Sequence, residues 1–173
     1  MERAGASLPE RYARQLTVVA WRYRIAGRAM RLYWKIAKPR TFGVRALLID
    51  PAGRVALVRH HYVAGWYLPG GGVDKGESAE AAIRRELHEE VGLAQVAVER
   101  VQGVFHNRGE GKDDHVIVFA CAVEDPASLV IADPREIAEI SWFAADALPD
   151  GATPATRRRI AEHLAGAQGW GEW

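Results

Sequence analysis

Apolar and polar positions run in several periods along this 173-residue chain, and each change of period marks an element. From Glu10 to Lys38 the period is helical. Trp21, Ile25, Leu32 and Ile36 share one face, while Arg24, Arg28, Arg31, Lys35 and Lys38 recur three or four residues apart on another. Gly27 weakens the middle of that helix. Pro39 ends it, because a proline pushes the residue before it out of the helical region.

Residues 43–50 are mostly apolar and predict a strand; Asp50-Pro51-Ala52-Gly53 predicts a turn, and Arg54 to His60 a second strand. The pair predicts a hairpin. The short apolar segment Trp66-Tyr67-Leu68 leads into Pro69-Gly70-Gly71-Gly72. A helical period follows from about Ser78 to Val91, with Gly92 placed as a left-handed stop. Further strands are predicted near 96–105, 115–123 and 140–143, and a closing helix over about 154–165. The Gly-rich residues 166–173 predict a flexible tail. Strands, one helix, strands and a terminal helix indicate an α+β chain rather than a regular βαβ repeat. The expected organisation is a basic helical extension over 1–41, one domain over 42–165 and the tail.

Charge sharpens this division. Residues 1–41 carry ten Arg or Lys against two Glu, whereas residues 42–173 carry thirteen against twenty. An acidic body favours cations; a basic helix favours an anionic partner. Three roles fit residues 10–38: packing on the acidic domain or across a homodimer, lying on an anionic membrane surface, or contacting nucleic-acid phosphates. Nucleic acid ranks last. No apolar run approaches the roughly 20 residues of a membrane span, and no leader pattern stands out. Cys121 is the single cysteine and lies in an apolar run, as a buried structural thiol does. A reducing, cytoplasmic setting is expected.

The chemistry concentrates in the helix after the glycines. Glu86, Glu89 and Glu90 are three and four residues apart, so their carboxylates share neighbouring turns of one face and repel. Three successive glycines permit unusual backbone angles and close approach to a ligand. Carboxylate and carbonyl oxygens together suit Mg²⁺ or Mn²⁺. His60 and His61 are adjacent on a strand and face opposite ways, and no zinc-type His/Cys spacing is present.

Gly71, Glu77, Arg85, Glu86, Leu87, Glu89, Glu90, Gly92 and Leu93 fill every fixed position of the pattern G-x5-E-x7-R-E-U-x-E-E-x-G-U, with U apolar. Here the chain resembles the Nudix hydrolase family. The resemblance implies an α/β/α sandwich around a mixed β-sheet, and Mg²⁺- or Mn²⁺-dependent hydrolysis of a nucleoside diphosphate linked to another group. It implies that Glu86, Glu89 and Glu90 are metal ligands, one of them a candidate activator of water, with the Gly70 carbonyl as a further ligand. Arg85 and Glu77 are implied as a structural pair that orients the acidic helix. Glu136 resembles a further catalytic carboxylate that some members carry outside the pattern; Glu139, Asp113, Asp114 and Glu110 compete for that place. A binding or regulatory module without turnover is the alternative, although such modules often lose the carboxylates kept here. Trp66, Phe105, Asn107 and Arg108 are candidate substrate contacts, as ring or polar groups near the expected site. The particular nucleotide stays open.

Overall fold

The computed structural model of the chain describes residues 41–108 and 113–173. The helix expected over 10–38, its three candidate roles and Glu110 lie outside them.

Six strands form one mixed sheet. They are β1 (Phe42–Ile49), β2 (Arg54–His60), β3 (Ala97–Asn107), β4 (Asp114–Ala122), β5 (Ile137–Ala144) and β6 (Gly169–Glu172), in the order β5-β2-β1-β4-β3-β6. β1 runs parallel to β4 over its whole length; β2–β5 and β3–β4 are antiparallel. Helix α1 (Ala79–Val91) covers one face and α2 (Pro154–Leu164) the other. The expected three-layer α/β/α sandwich is therefore present.

Alternation along β1 builds both cores at once. Val44, Ala46 and Leu48 meet Ala82, Ile83, Leu87 and Val91 of α1. Leu47, with Val55 and Leu57 of β2, joins the core that contains Ile160 of α2. Each fully buried Leu or Ile side chain stabilises the fold by about 1.5–3 kcal/mol, so α1 is fixed by its apolar stripe and not by its acidic face. Ser78 caps its first turn, accepting from the Ala81 N–H, and Gly92 ends it at φ 72°.

The expected hairpin of β1 and β2 is splayed. The two strands pair at Ile49↔Val55 beside their turn. Beyond it, the segment leading into the glycines is wedged between them. Tyr67 and Val58 exchange backbone hydrogen bonds on the β2 side, while Ala46 and Val44 N–H groups donate to the Pro69 and Gly71 carbonyls on the β1 side. The wedge carries the glycine loop into the middle of the sheet.

The tail departs from expectation. Residues 169–172 form β6, parallel to β3 from Gly103↔Gly169 to His106↔Glu172. A buried cation holds it there. The Arg159 side chain, 2% exposed, lies with its Cζ 3.6 Å from the Phe105 ring centroid and donates to the Glu172 carbonyl at 3.1 Å and to Glu162 at 2.6 Å. Trp173 packs beside Phe105, 6.2 Å between ring centroids, with the same guanidinium 5.7 Å from its own ring. Gly-rich composition hid this because composition says nothing of the β3 edge that the tail joins or of Arg159, thirteen residues before Glu172. Deleting residues 167–173 should lower the free energy of unfolding by about 2 kcal/mol, through exposure of Phe105 and Arg159. An unchanged urea midpoint would contradict that anchoring.

Candidate active site

The glycine loop and α1 meet at two close contacts. At Gly70, φ is 131° and a Cβ would fall 2.3 Å from the Val44 carbonyl oxygen, so no side chain fits. At Gly71 a Cβ would lie 2.5 Å from the Glu86 carboxylate. These glycines let the carboxylates press against the loop backbone.

Glu90 is 4% exposed, and its Oε2 accepts the Gly70 N–H at 2.8 Å. Burial pushes its carboxyl up to about 7, against the opposing effects of that hydrogen bond and of the Arg45 guanidinium. Burial raises Glu86 too, although Arg85 and Arg45 work against it. Glu89 sits at the rim with its side chain 56% exposed.

Arg85 ties the acids to the loop. Its Nε and Nη2 donate to both oxygens of Glu77, at 2.9 and 3.0 Å. Nη1 reaches Glu86 at 2.7 Å and Glu89 at 3.1 Å, and Nη2 also donates to the Gly72 carbonyl at 3.0 Å. Hydrogen bonding to Arg85 holds Glu77 below its ordinary range. A planar five-donor fork can make all these contacts at once; an ammonium cannot.

His60 and Glu136 join Glu90 from outside this segment. Ligand atoms of His60, Glu90 and Glu136 all lie within 4.8 Å of one another. His60 is 8% exposed, and its Nδ1 is buried without a hydrogen-bond partner, 3.7 Å from Glu136 Oε1. The Tyr62 hydroxyl donates to the same Oε1 at 2.7 Å. Arg45 stands opposite Gly70 on β1; its Nη1 is buried and unpartnered. An open cavity of about 470 Å³ between α1 and the loop before β5 is lined by Glu86, Glu89, Glu90, Asp133, Arg135 and Glu136.

Of the competitors for the outside carboxylate, Glu139 pairs with Arg59 at 2.6 Å and Asp113 with His106 at 2.7 Å. Asp114 opens β4, opposite Asn107. Glu136 is the one among these described residues that joins Glu90. The substrate candidates scatter. Phe105 is 4% exposed under Arg159 and Trp173, in the α2-side core, so it offers no free ring. Trp66 is half-buried edge-on against Phe143, 5.0 Å between centroids. Asn107 closes β3, and Arg108 follows it, exposed. His60, Tyr62 and Arg45 were missed. The signal for Arg45 was a lone cation in the apolar run Val44–Ile49; His60 and Tyr62 gave none.

The NUDIX domain family matches residues 39–164. A putative 8-oxo-dGTP diphosphatase of Bacillus subtilis (strain 168) is 34% identical over 128 residues, 74% of this chain and 83% of its own length. An RNA pyrophosphohydrolase of Caulobacter vibrioides is 50% identical over 56 residues, 31% of this chain and 33% of that one. Among solved structures, a MutT NUDIX hydrolase from Burkholderia pseudomallei superposes with TM-score 0.61 at 28% identity, covering 71% of this chain and 97% of that one. A UDP-X diphosphatase gives 0.63 at 25%, covering 93% and 85%. The acidic helix, the glycine wedge and the sandwich around them are those of a diphosphate-bond hydrolase. The chain belongs to the Nudix family.

Burial raises the Glu90 carboxyl from an ordinary value of 4.5 to about 7, so the folded protein binds the proton more tightly than the unfolded chain. Without metal, this residue's contribution to stability is greatest below about pH 4.5 and falls as pH rises towards 7. Glu90→Gln keeps the acceptor for Gly70 and removes the charge. In chelator, its melting temperature should exceed that of the wild type at pH 8, with the gap shrinking on acidification. A constant or reversed gap would contradict the burial effect.

Proposed function

We propose that this chain is a divalent-cation-dependent pyrophosphohydrolase of nucleotide-derived diphosphates. The observation that carries the reading is the convergence of Glu86, Glu90 and Glu136 at the Gly70 loop, with Glu86 and Glu90 both raised by burial. Buried carboxylates side by side are costly unless protonated or paired with a cation. An all-oxygen set of this kind suits Mg²⁺ or Mn²⁺. Glu86, Glu89 and Glu90 would hold the ion. The Gly70 carbonyl is the fourth protein oxygen, since β1 takes the Pro69 and Gly71 carbonyls on either side. Bound there, the ion offsets diphosphate charge and lowers the pKa of a bound water.

The chain's own groups do the rest. Glu136 accepts the proton of the attacking water. Arg45, with its unpartnered Nη1, contacts phosphate oxygens as substrate binds. Arg85 and Glu77 do no chemistry; they hold α1 against the loop. Trp66, Asn107 and Arg108 stay as contacts for the remainder of the substrate, and Phe105 is withdrawn because Arg159 and Trp173 cover it. Similarity to the 8-oxo-dGTP diphosphatase supports testing nucleoside triphosphates, oxidised ones included, first.

The test is a hydrolysis screen with Mg²⁺ and with Mn²⁺. It spans nucleoside triphosphates and their 8-oxo forms, ADP-ribose, nucleotide sugars, dinucleoside polyphosphates and 5′-triphosphate RNA. Turnover should vanish with EDTA and return with added metal. Glu90→Gln should lower kcat by at least about 100-fold. No turnover on any substrate, or a fully active Glu90→Gln protein, defeats the proposal.

A further inference from the structure

We infer that Tyr62 is a positioning residue for Glu136. The inference rests on the proposed role of Glu136 as proton acceptor, and it concerns a residue outside both α1 and the glycine loop. Glu136 has a side chain 44% exposed on a loop, so it has rotamers to lose before it can act. Two contacts from the end of β2 remove that freedom. The His61 N–H donates to the Glu136 carbonyl at 3.0 Å and fixes its backbone. The Tyr62 hydroxyl donates to Oε1 at 2.7 Å and fixes its carboxyl plane.

Tyr62 is itself placed by packing. Its ring lies 5.1 Å from the His60 ring, tilted by 38°, and His60 meets Tyr67 edge-on at 5.8 Å. The Tyr67 hydroxyl bonds the Ala64 carbonyl at 2.8 Å, closing the turn that carries Tyr62. Nevertheless Tyr62 is 70% exposed. An aromatic ring left that open adds little to the core, whereas a hydrogen bond to a carboxylate is of the stronger kind. With Oε1 held by Tyr62, the second oxygen is left to take the water's proton. Geometry of this kind acts on the chemical step, not on substrate affinity.

The test is a double-mutant cycle on the full chain with the best substrate of the screen. Tyr62→Phe keeps the ring and its stacking and removes one oxygen. It should lower kcat about tenfold, leave KM within about twofold, and leave the melting temperature unchanged. Glu136→Gln should lower kcat by about 10²–10⁴, and adding Tyr62→Phe to it should cost nothing more. A role confined to structure would instead lower the melting temperature and add its full cost in the Glu136→Gln background. Additive effects, or a Tyr62→Phe protein with wild-type kcat, overturn the inference while leaving Glu136 intact. A fully active Glu136→Gln protein overturns the role of Glu136 and the inference together.

Discussion

The structure turns on one hydrogen bond, from the Gly70 N–H to the buried carboxylate of Glu90. A carboxylate at 4% exposure needs donors, and the folded chain supplies this one from backbone. For the donor to arrive, residues 66–71 must enter the sheet between β1 and β2, and those strands must part after a single pairing near their turn. For the wedge to fit, position 70 must lack a Cβ. Fold and site share this constraint: the entry that shapes the sheet also brings backbone to the acids.

Charge is arranged around that contact in two layers. Arg85 gathers Glu77, Glu86, Glu89 and the Gly72 carbonyl on the outer side, where partial solvent keeps such pairs cheap. On the inner side Glu90 and Glu136 approach each other, and among the described residues neither forms an ion pair with an arginine. Arg45 acts there through its field alone, moderating Glu86 and Glu90 without bonding either. The inner side opens to the cavity, where Arg135 is the lining arginine and itself pairs with Asp133.

What the sequence disclosed follows from how local each feature is. The helix from Ala79 to Val91 and its Gly92 stop are local, so spacing specified them, whereas the Arg85–Glu77 pair was implied by the family resemblance. The sheet was legible as strands but not as a splayed pair, because the wedge depends on backbone partners some twenty-five residues away. His60 was illegible for a different reason. Strand alternation separates His60 from His61 and says nothing of what faces either. Phe105 misled because its loop looked polar, while its covering partners, Arg159 and Trp173, lie more than fifty residues later. Composition read residues 166–173 as a flexible tail, yet composition carries no information about the buried Arg159 on the preceding helix.

The β2–β5 ladder slips between Arg59↔Glu139 and His60↔Ile137, leaving Ala138 as an extra residue on β5. That one-residue offset brings Glu136 level with the end of β2. The offset depends on chain length at Ala138. Losing one residue there would remove that offset and change the level at which Glu136 leaves the ladder, beside the buried Ile137. Along this stretch the number of residues, and not only their identity, sets where the carboxylate stands.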